Sequence, residues 1–104
     1  MDFSPHRDIP SFGWLKQYHI NGLQFYDWQF RHDSLLADAD RYLDPFEREM
    51  SLETVRSLIV SAHEAGMAAM PYLAVYAASL DFWRAHPGWA LYDEKGDPLT
   101  FHDF

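Results

Sequence analysis

The chain of 104 residues carries 16 acidic and 8 basic side chains, so its formal net charge is -8 at neutral pH, and 17% of its residues are aromatic. This charge argues against nucleic acid and anionic membrane surfaces as partners, because both attract cationic proteins. The chain has no cysteine, which excludes disulfides and thiolate metal ligands, and its length allows one domain with its own core.

The first predicted helix covers residues 8–19. Asp8 can cap its N-terminus, and Pro10 is tolerated in the first turn, where a backbone N–H has no intrahelical acceptor. Its mostly apolar face is formed at spacings of three and four by Ile9, Phe12, Leu15 and His19. Residues 2–4 are interpreted as the end of an extended segment, and residues 21 and 22 as a turn into the next strand.

The most informative stretch is residues 20–32, where a strand pattern ends in polar side chains. Residues 20–25 are apolar and aromatic enough for a buried strand, which has little reason to end in a carboxylate, an indole, a guanidinium and an imidazole. We therefore predict a ligand site formed by Gln24, Tyr26, Asp27, Trp28, Arg31 and His32. The alternative is a strand end whose polar residues only cap neighbouring backbone.

Residues 33–50 are acidic and irregular, and they predict a long loop with at most one helical turn. A loop of this length either serves a function, such as covering a cleft, or is a solvated linker held by a few apolar anchors. Its carboxylates could include calcium ligands, but they lack the regular spacing of an EF-hand.

A helix followed by a parallel strand is predicted next. Ser51 is a suitable N-cap, Glu53 places negative charge in the first turn, and Gly66 supplies a left-handed residue at the C-terminus. The apolar face consists of Leu52, Val55, Leu58, Ile59 and Ala62. The continuous apolar run over residues 67–76 then predicts a strand of a helix-covered parallel sheet, in which Pro71 indicates a bulge or an edge.

The C-terminal part predicts a short helix over residues 77–83 and a hairpin between residues 89–92 and 99–101. Counting the units gives an α/β fold, a partial (β/α)₈ TIM barrel with about its first three βα units and parallel strands flanked by helices. A whole barrel needs roughly 250 residues. We therefore interpret residues 1–104 as a single N-terminal segment that stops abruptly at Phe104.

Three segments in this order resemble glycoside hydrolase family 66, the dextranases and cycloisomaltooligosaccharide glucanotransferases. They are residues 2–4 (Asp-Phe-Ser), residues 18–28 (Tyr-His-Ile-Asn-Gly-Leu-Gln-Phe-Tyr-Asp-Trp) with Arg31 and His32, and residues 62–72 (Ala-His-Glu-Ala-Gly-Met-Ala-Ala-Met-Pro-Tyr). The resemblance implies a (β/α)₈ barrel that acts on α-1,6-linked glucan with retention of configuration. It also implies that the catalytic aspartate and glutamate lie on later strands, so no residue here is expected to be catalytic and no cofactor is expected.

The resemblance further implies that the strand ends help form the sugar cleft, with Tyr26, Asp27, Trp28, Arg31, His32 and Tyr76 at its rim. A glucose ring needs polar groups for its hydroxyls, which Asp27 and His32 can supply, and flat faces for its C–H groups, which the aromatic residues can supply. Asp27 could instead be a cap or an ion pair with Arg31, and Trp28 could belong to the core. Tyr72 is assigned to the barrel interior or to helix contacts, and the spacing of the histidines matches no metal motif.

Two functions are therefore considered. The first is a fragment of a dextranase-like enzyme that binds glucan or isomaltooligosaccharide without turnover. The second is a stand-alone carbohydrate-binding or protein-interaction module. An open sheet edge, as a partial barrel would expose, predicts self-association of the fragment, whereas a monomer that binds isomaltooligosaccharide would favour the module. Residues 1–8 have no cationic start or apolar stretch of a signal peptide, although the resembled family is typically secreted, so localisation stays open.

Overall fold

The computed structural model describes residues 1–100. Its elements in chain order are a 3₁₀ helix over Gly13–Tyr18, strand β1 over Gly22–Phe25, strands β2 over Arg41–Leu43 and β3 over Glu49–Ser51, helix α1 over Leu52–Glu64, strand β4 over Ala68–Pro71, helix α2 over Leu80–Ala85 and a second 3₁₀ turn over Pro87–Trp89. No helix within this range is long and apolar enough to cross a membrane.

Strands β1 and β4 pair in parallel, from Gly22 opposite Ala68 to Phe25 opposite Pro71. Because parallel neighbours need a long crossover, this pairing confirms a small α/β fold with a parallel sheet and helices. The observed strand is much shorter than the one expected over residues 67–76. Its pairing with β1 ends at Pro71, and the Tyr72 N–H makes one further hydrogen bond to the Phe25 carbonyl at 2.8 Å. Residues 2–4 join neither sheet. Instead the Phe3 carbonyl accepts a hydrogen bond of 2.9 Å from the Ser51 N–H.

The expected long loop over residues 33–50 is wrong, because it contains the antiparallel hairpin of β2 and β3. Its three-residue strands are too short to show an alternation of apolar and polar residues. Their buried residues are Tyr42, Met50 and Ser51, of which only the first two are apolar. The turn is built on Asp44, whose Oδ1 accepts hydrogen bonds of 2.9 Å from the N–H groups of Phe46 and Arg48. Hydrogen bonds to the Asp44 side chain, and not an apolar pattern, therefore define this hairpin.

The expected first helix, capped by Asp8, is also wrong. A 3₁₀ helix begins only at Gly13, has no side-chain cap, and ends before His19 at a φ of 58°. Phe12 and Leu15 are three residues apart, a spacing that fits the three residues per turn of a 3₁₀ helix as well as an α-helix, and the Leu15 N–H bonds the Phe12 carbonyl at 3.0 Å.

Helix α1 confirms its prediction. The Ser51 hydroxyl accepts from the Thr54 N–H at 3.2 Å, and Gly66 has a φ of 70°. The apolar face packs into one core, whose buried residues are Phe3, Phe12, Phe25, Trp28, Tyr42, Met50, Val55, Leu58, Ala62 and Met67. The helix therefore covers the parallel strands from one side.

Helix α2 begins three residues later and ends two residues later than predicted, because Ser79 is the N-cap and accepts from the Phe82 N–H at 3.2 Å. The expected hairpin is reduced, within residues 1–100, to a single bridge between Tyr92 and Pro98. Asp93 makes the turn itself, since its Oδ1 accepts from the N–H groups of residues 95 and 97 at 2.8 and 2.9 Å. Phe101, the expected end of this hairpin, and Phe104 lie outside the described residues.

Candidate functional site

The parallel pairing of β1 and β4 brings the residues that follow both strands to the same edge of the sheet. Tyr26 and Asp27 come directly after β1, and Tyr72 comes directly after β4. The carboxyl ends of parallel strands are where α/β proteins place ligands. This edge, with its flanking segments, is the candidate site.

Three tyrosines form its aromatic surface. The Tyr26 and Tyr72 rings are stacked with centroids 4.5 Å apart and planes 27° apart. Hydrogen bonding with Tyr76 raises the pKa of Tyr26, and the same bonding, with desolvation, raises the pKa of Tyr72 to about 12. The hydroxyls of Tyr26 and Tyr72 therefore stay protonated at neutral pH. His32 lies beside this group, with its ring 6.4 Å from that of Tyr76.

Tyr72 is the member that the sequence interpretation missed. The sequence assigns it to the barrel interior or to helix contacts, whereas the ladder that pairs Phe25 with Pro71 puts the next residues, Tyr26 and Tyr72, side by side. The signal available in the sequence was the position of Tyr72 immediately after a proline that ends the strand.

Asp27 stands at the end of β1 in the left-handed region, at a φ of 56°. Aspartate tolerates this backbone conformation better than most residues. Its carboxylate is 35% exposed, and Oδ2 lies 3.6 Å from Nη2 of Arg48. The sequence offers Arg31 as an alternative ion-pair partner of Asp27. In the structure the cation that approaches Asp27 is Arg48.

Arg48 is held from behind by Asp44, whose side chain is completely buried. Its Nε and Nη2 donate to Asp44 Oδ2 at 2.8 and 2.6 Å, and these hydrogen bonds raise the pKa of the guanidinium above its ordinary value. Charge-assisted bonds of this kind are about twice as strong as neutral ones. The hairpin turn therefore presents a fixed cation to the candidate site.

Trp28 and Arg31 lie behind the candidate site, where both side chains donate hydrogen bonds to backbone carbonyls. Trp28 is buried and its Nε1 donates to the Tyr72 carbonyl at 3.0 Å, so the indole fixes the position of the residue that follows β4. Arg31 Nη1 donates to the carbonyls of Phe30 and Leu43 at 2.7 and 2.8 Å. These bonds join the segment after β1 to the hairpin.

Asp33 fixes the other border of the site. Its Oδ1 accepts from the Ser79 N–H at 2.6 Å, which ties the segment after β1 to the start of α2. Gln24 is exposed on β1. Within residues 1–100 no group of three or more histidine or carboxylate side chains could hold a metal ion.

The arrangement combines an exposed tyrosine surface, protonated hydroxyls and one accessible carboxylate next to a fixed cation. Retaining glycoside hydrolysis needs two carboxyl groups about 5 Å apart, one protonated and one ionised. The carboxylate that shares Arg48 with Asp27 is Asp44, which is fully buried and saturated by hydrogen bonds. These groups are suited to binding a polyhydroxylated ligand.

Comparison with known proteins gives a consistent result. The family model described as glycosyl hydrolase family 66 matches residues 4–103. Two cycloisomaltooligosaccharide glucanotransferases of Niallia circulans are 34% identical over 93 residues and 33% identical over 84 residues, covering 83% and 74% of this chain. These matches cover 10% and 9% of the relatives, so this chain spans about a tenth of their length.

A solved structure is also similar, that of a cycloisomaltooligosaccharide glucanotransferase of Paenibacillus sp. complexed with cycloisomaltoheptaose. The TM-score is 0.73 at 30% sequence identity, and the match covers 88% of this chain and 15% of the solved one.

Proposed function

Since this chain belongs to glycosyl hydrolase family 66, we propose that it forms the opening βα units of a (β/α)₈ catalytic barrel and supplies part of the cleft that binds α-1,6-linked glucan. In this proposal the catalytic aspartate and glutamate come from later strands of a longer enzyme. The chain alone binds glucan and does not turn it over.

The observation that carries the proposal is the shared edge of β1 and β4. It brings Tyr26, Asp27, Tyr72 and Tyr76 together where barrel enzymes place their working residues. The similarity to an enzyme solved with cycloisomaltoheptaose supports an isomaltooligosaccharide as the ligand class. Both lines of support are independent of the composition of the chain.

The residue types at this edge fit a sugar. The exposed Tyr26 face can stack on the C–H groups of a glucose ring, and Asp27 can accept hydrogen bonds from ring hydroxyls. The protonated tyrosine hydroxyls can donate to ring oxygens. His32, at the border of the tyrosine group, is the remaining polar residue that we assign to the cleft, while Trp28 and Arg31 hold its wall.

The test is a titration of the 104-residue chain with linear isomaltoheptaose, followed by NMR. Tyr26→Ala should weaken binding about tenfold, since about 1.4 kcal/mol of stacking and hydrogen bonding corresponds to that factor. Trp14→Ala is the matched control, because Trp14 is an aromatic residue of similar exposure, 58% against 50% for Tyr26, and lies on the 3₁₀ helix.

A reducing-end assay with dextran completes the experiment. No release of new ends is expected from the chain alone. Turnover would contradict the proposal that the catalytic residues come from later strands. Equal affinities of wild type and Tyr26→Ala would contradict the proposed location of the cleft.

The stand-alone module remains a second candidate because residues 3–67 already form one continuous core. The two functions differ in association state. Within residues 1–100 the parallel sheet has only two strands, so each has an unpaired edge that invites another strand. A monomer in sedimentation that binds isomaltoheptaose favours the module, and self-association favours the barrel segment.

A further inference from the structure

The hairpin of β2 and β3 reaches the candidate site through one side chain, Arg48. Its guanidinium lies between two carboxylates, bonded to Asp44 at 2.6 Å and facing Asp27 at 3.6 Å. Nothing in the sequence spacing joins these positions. They meet because the turn of the hairpin folds against the end of β1.

Arg48 differs from an ordinary surface cation in how it is fixed. The Asp44 carboxylate accepts from two backbone N–H groups of the turn through Oδ1 and from Arg48 through Oδ2. An exposed ion pair normally contributes little because two mobile side chains must be ordered to form it. Here the ordering of the cation is already provided by a fully buried carboxylate.

Asp27 lies outside the strand ladder, in the left-handed region of backbone conformation. The strand ladder ends at Phe25, and Asp27 turns into the left-handed region two residues later. The contact with Arg48 Nη2 engages Oδ2, while the carboxylate stays 35% exposed and accessible to a ligand. The cation thus approaches the side chain that the proposed cleft uses for sugar hydroxyls.

We propose that Arg48 is a positioning residue for glucan binding, which holds the Asp27 carboxylate in place from the Asp44 anchor in the hairpin turn. This inference rests on the proposed function, because it assigns a role within the same cleft. It does not require Arg48 to touch the sugar.

The experiment measures isomaltoheptaose affinity and Asp27 amide shifts by NMR for the 104-residue chain and four variants. Arg48→Gln and Asp27→Asn should each weaken binding about tenfold, the range for a charged hydrogen-bond partner. The double variant should be no weaker than Asp27→Asn alone, because coupled residues are not additive. Arg48→Gln should also shift the Asp27 amide without ligand.

The matched control is Arg41→Gln. Arg41 lies on the same hairpin and pairs with Glu49 at 3.7 Å, away from Asp27. Its removal should leave both the affinity and the Asp27 amide unchanged. An equal loss in Arg41→Gln would show that the hairpin as a whole, and not Arg48, supports binding, and would overturn the inference.

The outcomes separate the two proposals. Wild-type affinity in Arg48→Gln overturns the positioning role and leaves the proposed function standing. Absence of binding in the wild type overturns the proposed function and this inference together. If Arg48→Gln fails to fold, Arg48→Met decides, since methionine keeps an unbranched apolar stem and removes every donor that could reach Asp27, so an unchanged affinity contradicts the role.

Discussion

Residues 1–74 and residues 75–100 are organised by different forces. Every buried residue of the described chain lies in the first region, and none lies in the second. Both regions are rich in aromatic side chains, yet Trp28 is buried while Trp89 is 74% exposed. Aromatic content therefore does not decide where a core forms.

The second region is ordered by polar contacts, most of them local. Ser79 caps α2 and is itself held by Asp33, Asp93 makes a turn, and the Tyr92 hydroxyl donates to the Pro87 carbonyl at 2.6 Å. The comparison teaches that hydrogen-bonded turns can hold a segment whose apolar residues remain uncovered. Substitutions should accordingly have very different costs in the two regions.

The largest effect is expected at Phe25, which is completely buried and stacks on Phe3 with centroids 6.0 Å apart. Phe25→Ala should lower the free energy of unfolding by about 3–5 kcal/mol, through lost transfer energy and a cavity. Urea unfolding measures it. Leu80→Ala, at a side chain 48% exposed on α2, is the control and should change it by less than about 0.5 kcal/mol. Similar losses at both positions would break the comparison.

An intermediate effect is expected at the cap of α2. Ser79→Ala removes the hydroxyl that accepts from the Phe82 N–H and should destabilise the helix by about 1 kcal/mol. Hydrogen exchange should accelerate about fivefold for amides of α2, with no change in α1, because the two helices open separately. Unchanged exchange in α2 would show that packing holds it after all.

The smallest effect is expected on removing the charge of Asp40. This residue tests whether polar contacts also stabilise the first region, because it accepts hydrogen bonds at the start of α1. The Glu53 N–H and the Ser51 hydroxyl donate to its carboxylate at 2.6 and 2.9 Å and lower its pKa. The unfolded chain, with a pKa of about 3.9, then binds this proton more readily than the folded one. Its contribution is present above about pH 4 and is lost as the pH falls through the lower folded value.

The measurement is urea unfolding of wild type and Asp40→Asn between neutral pH and about pH 2.5. The gap between the two midpoints should be widest near neutrality and should narrow below about pH 4. A gap that stays constant with pH would show that Asp40 contributes through shape rather than charge.

The parts of the fold that follow from sequence are those in which several signals agree. Helix α1 has a cap at Ser51, an apolar face and Gly66 at its end, and the apolar run after it predicts a parallel strand. The hairpin of β2 and β3 could not be predicted, because its strands have three residues each and its turn depends on hydrogen bonds to Asp44. The prediction of the first helix was wrong because apolar residues three apart fit a 3₁₀ helix as well as an α-helix.

The candidate site combines residues that the sequence singles out with one that it does not. Tyr26 and Asp27 follow from their position after a strand pattern, and the structure brings them to the end of β1. Arg48 could not be found, because its proximity to Asp27 comes from tertiary folding of the hairpin. Trp28 and Arg31 show that a polar side chain after a strand can donate to backbone carbonyls instead of to a ligand.

Phe3 has a practical consequence for handling this protein. It is 1% exposed, stacks on Phe25, and its carbonyl bonds the Ser51 N–H at the start of α1. Proteolysis that removes residues 1–4 would remove the Phe3 side chain from the core and expose Phe25 to water.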